Sequence, residues 1–125
     1  MDRGLWGRKN PDVMMKAKPF KYWKTEDGHG WTPCEPDEAT HVELNIPGPQ
    51  GCSMLPVNEV PLPFTTPRWK WNKDMEKPTI DPSIRTEARG RWVCHSVITD
   101  GVVHFCTDST PEFSGKSVPL LNVED

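Results

Sequence analysis

The sequence predicts a mainly β fold: a small single domain made of an antiparallel sheet, or a compact barrel or sandwich, with long loops and an N-terminal arm. Three observations predict it. Proline occupies 14 of the 125 positions, and proline ends helices and is excluded from central strands. Several short runs alternate apolar and polar residues at period two, the pattern of a half-buried strand. Asp100-Gly101 separates two such runs, and Asp-Gly is the strongest short hairpin signal. The chain length suits one domain. Six tryptophans and four phenylalanines are too many large apolar groups for a typical disordered chain.

The elements follow in order. Residues 1–19 read as a basic arm, with Pro11 and Pro19 bracketing "VMMKAK" too tightly for more than a helical turn. Residues 20–125 form the domain. "FKYW" (20–23) is a first short strand, and "TEDGHGWTPCEPDE" (25–38) is turn chemistry. In "THVELNI" (40–46), Val42, Leu44 and Ile46 alternate with His41, Glu43 and Asn45 and point inward. Residues 47–67 hold six prolines and read as a long loop; loops of that length in a compact domain are often functional. "RWKWN" (68–72) sets Trp69 and Trp71 on one face, and "KPTIDPSIRTEA" (77–88) is extended, with Ile80 and Ile84 in the core. "RWVCHSVI" turns at "TDG" and returns as "VVHFCT", a hairpin over 91–107. Trp92, Cys94, Ser96 and Ile98 share one face. Val93, His95 and Val97 share the other, so both faces are expected to be covered. About the Asp100-Gly101 centre, Cys94 and Cys106 fall near-opposite, within cross-strand reach. "SVPLLNV" adds an edge strand.

The net charge is −3, which leaves no bulk electrostatic footprint for nucleic acid. The first 24 residues are nonetheless rich in Lys and Arg, against Asp2 and Asp12 alone, and residues 26–43 are acidic. No apolar run approaches the roughly 18 residues of a membrane span, and "MDRGLWGRKNPD" lacks the apolar stretch of a signal peptide. The expected location is the cytoplasm, with no membrane partner. Thiols stay reduced there, so the four cysteines favour free thiols or metal ligation over disulfides.

Two candidate sites follow. A structural zinc site wants four thiolate or imidazole ligands in a tetrahedron. Cys34, Cys94 and Cys106 are the expected three, with His41 as the fourth and His95 or His104 as alternatives, although no paired C-x-x-C knuckle exists. The bland rival makes Cys94 and Cys106 small core residues. The second candidate is aromatic and cationic. Trp69 and Trp71, with Arg68 and Lys73, suit stacking on a base or a partner surface. Trp6 and Trp31 lie in weakly patterned segments and would anchor a protein partner. His104 and Asp108 could serve Cys106 as general base and partner, but no oxyanion donors stand out. No phosphate loop, G-x-S-x-G elbow or H-E-x-x-H helix is present.

"WNKDMEKPTIDPSI" (71–84), "CHSVITDG" (94–101) and "FCTDSTPEFSGKSVPL" (105–120) resemble a small family of phage and prophage proteins, some labelled ammonia monooxygenase. The resemblance covers residues 69–120. Its relatives carry a C-P-x-C pair followed by histidine, of which Cys34 and His41 are the counterparts here. Their D-C-T-H element reads Asp108-Ser109-Thr110-Pro111 in this chain. The resemblance implies a non-catalytic phage accessory protein in the host cytoplasm, binding a host or viral protein such as a defence factor. The alternatives are a module sequestering a nucleotide-like ligand, or a virion or assembly component that self-associates.

Overall fold

The computed structural model describes residues 15–58 and 66–123. Nine strands follow one another: β1 (Ala17–Thr25), β2 (Gly28–Pro33), β3 (His41–Ile46), β4 (Gly51–Pro56), β5 (Lys70–Trp71), β6 (Ile80–Ala88), β7 (Trp92–Thr99), β8 (Val102–Phe105) and β9 (Ser117–Pro119). A short 3-10 turn, Pro36–Glu38, lies between β2 and β3. They form two antiparallel sheets, in the orders β2-β1-β3-β4 and β5-β6-β7-β8-β9. Neither closes into a barrel. The expected mainly β single domain is what the chain adopts.

Period two explains the shared core. Val42, Leu44 and Ile46 of β3 are fully buried, and so are Ile98 of β7 and Val103 of β8. With Ile80, Ile84, Cys94 and Leu120 they form one apolar cluster fed by both sheets. The sheets are stitched by a bridge between Asn45 and Leu121 and another between Val57 and Trp69. Leu, Ile and Val side chains buried this way are each worth about 1.5–3 kcal/mol relative to exposure.

The sheet departs from expectation in several places. The expected arm boundary at 19 lies inside β1, which begins at Ala17. The turn-rich stretch 25–38 contains β2, an edge strand on which Gly30 sits under Trp23. The proline-rich segment 47–67 contains β4, whose five residues before Pro56 are free of proline. As an edge strand β4 tolerates that proline, because its outer N–H groups need no ladder partner. Strand β7 is fully covered on one face, where Cys94, Ser96 and Ile98 are buried; on the other Val93 and His95 are half-buried and Val97 is exposed.

The β7–β8 hairpin itself forms around Asp100 and Gly101, both at positive φ, 49° and 79°. That is the geometry a two-residue hairpin loop demands. Its register corrects the cysteine pairing. Thr99 faces Val102, Ile98 faces Val103 and Ser96 faces Phe105. Continuing this register, the Cys106 N–H donates to the His95 carbonyl at 2.7 Å. Cys106 is therefore opposite His95, not Cys94. A slip of one residue moves a side chain to the other face of a sheet. Cys94 points into the core, and Cys106 points outward.

Candidate active site

The outward face of β6 and β7 carries the chemistry. Pro82 has no N–H to donate, and the β6–β7 ladder breaks there. Ile80 pairs with Ile98 and Ile84 with Ser96, so Asp81, Pro82 and Ser83 together oppose Val97. Such a bulge re-aims the side chains it contains. With Ile80 and Ile84 both buried, Ser83 faces outward beside β7. The Trp69 indole N–H donates to the Ser83 carbonyl at 3.1 Å and fixes the bulged backbone.

His95 leaves β7 on the same face. Its Nε2 lies 2.9 Å from Ser83 Oγ. Its Nδ1 lies 2.9 Å from both carboxylate oxygens of Asp108. An ionised carboxylate only accepts, so Nδ1 carries the proton and Nε2 offers its lone pair to the Ser83 hydroxyl. The hydrogen bond from His95 holds the Asp108 carboxyl below the ordinary carboxylate range, with lesser help from the charges of His95 and Arg85.

Asp108 is held by a segment that stands in for a strand. Beyond β8 the chain runs along β7. The Ser109 hydroxyl accepts from the His95 N–H and donates to the His95 carbonyl, both at 3.0 Å. The Val93 N–H donates to Thr110 Oγ1 at 2.7 Å, and the Thr110 N–H to the Val93 carbonyl at 2.9 Å. Ser109 is buried. Both backbone groups of His95 are thus tied to the segment that carries its carboxylate partner.

A serine hydroxyl, an imidazole and a carboxylate in this series make up the nucleophile–base–orienter arrangement of acyl transfer. The family described as bacterial ubiquitination-like system serine protease (BubE) matches residues 14–106. The chain belongs to the BubE family. The match contains Ser83 and His95 and stops two residues short of Asp108. No curated protein and no solved structure matches the chain. Membership corrects the expectation of a non-catalytic phage accessory protein, since the BubE family is one of serine proteases of a bacterial system. It gives no support to a phage origin or to the ammonia monooxygenase label. No helix among the described residues is long and apolar enough to cross a membrane.

The expected metal set is not brought together. Cys34, just past β2, and His41, on β3, lie with the first sheet; Cys94, on β7, and Cys106, just past β8, lie with the second. Burial pushes the Cys34 thiol up to about 11, with Glu38 adding to it, and burial raises the Cys94 thiol as well. Thiols kept protonated in this way are poor ligands and poor nucleophiles. His41 is buried, with Nδ1 2.8 Å from Thr40 Oγ1. Among the described residues, the group whose donors converge is His95, Cys106 and Asp108, all within 4.8 Å of one another. His104, considered as Asp108's partner, bonds Ser117 Oγ instead, at 2.8 Å.

The aromatic candidates divide. Arg68, Trp69, Trp71 and Lys73 line one cleft of about 480 Å³ with Lys70 and Asn58. Trp71 is itself buried, and Lys73 pairs with Asp37 at 2.9 Å. Trp31 is exposed on β2, edge-on to Tyr22, His29 and His41. Trp6 lies outside the described residues. A second cleft, about 410 Å³, is bounded by Arg89, Arg91, Trp92 and Asp108. Ser83 was not among the expected site residues, and His95 was expected only as an alternative metal ligand. The signal was there, in an outward serine and an outward histidine on neighbouring period-two strands.

Proposed function

We propose that this chain is a serine protease of a bacterial ubiquitination-like system, with Ser83 as nucleophile, His95 as general base and acid, and Asp108 as the group that orients His95. The observation that carries the reading is the pair of 2.9 Å contacts on opposite nitrogens of His95, to Ser83 and to Asp108. In the reaction, Ser83 Oγ attacks the scissile carbonyl carbon and its proton passes to His95 Nε2. The tetrahedral intermediate collapses, the C–N bond breaks, and the leaving amine takes the proton from Nε2. An acyl ester on Ser83 remains. Water then attacks that ester, giving one proton to Nε2, and Ser83 leaves with it restored. Asp108 stays ionised throughout and stabilises the imidazolium of each half-reaction.

Substrate binding fits the two clefts. The Trp69–Trp71 cleft adjoins the nucleophile through the Trp69–Ser83 bond, and the Arg89–Trp92 cleft adjoins Asp108. An extended polypeptide lying across the outward face of β6 and β7 would reach both. The cations Lys70, Arg89 and Arg91 favour a chain with carboxylates near the cleaved bond.

The test uses a fluorophosphonate probe, in which a serine oxygen displaces fluoride from phosphorus. Intact mass and peptide mapping should show one adduct, on Ser83. Ser83→Ala should remove it, and His95→Ala should slow it by at least 10³-fold. Labelling of another residue, or undiminished labelling of Ser83→Ala, would refute the assignment.

A further inference from the structure

Cys106 has no part in that chemistry, yet its thiol sits against it. It lies directly across the ladder from His95, on the same outward face, and is half-buried. Its sulfur, a His95 ring nitrogen and an Asp108 oxygen lie within 4.8 Å of one another. The nitrogen that faces Asp108 is Nδ1. One imidazole, one thiolate and one carboxylate on a single point are a donor set for a borderline-soft, four-coordinate divalent ion. Zinc takes nitrogen at about 2.0–2.1 Å, sulfur at about 2.3 Å and carboxylate oxygen at about 2.0–2.2 Å, and commonly leaves a fourth position to water. Ligand atoms around such an ion are closer together than 4.8 Å, so small rotamer shifts of the exposed Asp108 and the half-buried His95 and Cys106 complete the site.

We propose that His95, Cys106 and Asp108 form an inhibitory site for zinc, through which the ion switches the protease off. This consequence rests on the reading of Ser83 as nucleophile; the binding site itself does not. The ion takes the place of the proton between His95 Nδ1 and Asp108. That proton moves to Nε2, and the thiol proton of Cys106 is released to solvent. His95 then presents an N–H to Ser83 Oγ where it had presented a lone pair, and it can no longer accept the serine proton. Asp108, bound to the metal, no longer orients the ring. The positions fit a reversible switch, because Asp108 and Cys106 both sit on the segment beyond β8, where Asp108 is exposed and Cys106 half-buried.

Two measurements on the full chain, purified with a chelator and then freed of it, decide the proposal. In the first, fluorophosphonate labelling is timed with and without micromolar zinc. Zinc should slow labelling at least tenfold, chelator should restore it, and Cys106→Ser, compared with its own zinc-free rate, should need at least tenfold more zinc. Equal zinc sensitivity of Cys106→Ser and the native chain would overturn the switch. In the second, cobalt is added to Ser83→Ala, which needs no catalytic activity. A thiolate-to-cobalt charge-transfer band should appear, and it should vanish in Ser83→Ala with Cys106→Ser. Absence of the band in Ser83→Ala would overturn the site. Failure of the native chain to label would sink the protease reading alone, leaving the cobalt spectrum to decide the site.

Discussion

Replacing Asp108 by asparagine separates a working triad from a chance alignment. The carboxylate lies 2.9 Å from His95 Nδ1 through both oxygens, and it alone fixes which ring nitrogen bears the proton. The asparagine amide can turn its NH₂ toward Nδ1, which moves the imidazole proton to Nε2 and blocks proton transfer from Ser83. Where the triad aspartate is buried, this substitution lowers kcat by about 10⁴. The Asp108 side chain is 54% exposed, so water screens the interaction and rotates asparagine freely. If roughly half of the free-energy effect survives that screening, the factor becomes its square root, about 10². The second-order rate of fluorophosphonate labelling, read by intact mass, should therefore fall about 100-fold. The urea midpoint should hardly move, because the side chain is exposed. Labelling within twofold of the native rate would show that Asp108 does not orient His95, and would undo the triad even with the distances as they are.

Other expectations concern what holds the site and the fold. Ser109→Ala removes both hydroxyl bonds to the His95 backbone, leaving the part-buried His95 N–H unpaired. It should cost about 1–3 kcal/mol in urea unfolding and should slow labelling as well; unchanged stability and labelling would show that the strand-like segment is held by other contacts. His41 is buried, and that burial, with the nearby Arg68 charge, holds its pKa below the ordinary 6.5. The folded chain favours neutral His41, so the unfolded chain binds more protons as pH falls. This contribution is whole above pH 6.5 and is lost as pH drops from there through the folded value. Urea midpoints at pH 7.5 and 5.5 should show the decline, and His41→Gln should flatten it; an equal decline in both would assign it to other groups.

Much of the fold was legible because two strong local rules agreed with the packing. Val42, Leu44 and Ile46 alternate cleanly and are buried, and Asp100-Gly101 turns the chain where its φ angles require. β2 and β4 were not legible. Their glycines and prolines read as turns, and only an edge position makes them tolerable in a sheet. The site was hidden for a different reason. Period two places Ser83 and His95 outward but does not reveal the bulge at 81–83 that turns Ser83 toward Nε2. Period two continued past β8 would put His104 and Asp108 on one strand face, whereas the turn beyond β8 carries Asp108 back along β7. The cysteine pairing failed by one position of register, enough to send Cys94 to the core and to leave Cys106 beside the triad.

The way Asp108 is tethered matters beyond geometry. Residues 106–110 lie along β7 through a few hydroxyl and amide contacts instead of a continuous ladder. Peeling this short flap leaves every strand pairing of both sheets in place, so it can open at less than the free energy of global unfolding. Mild heat or low urea should silence the enzyme while both sheets still give their full circular dichroism signal. Catalytic competence and global foldedness would then be two separate thresholds in this chain.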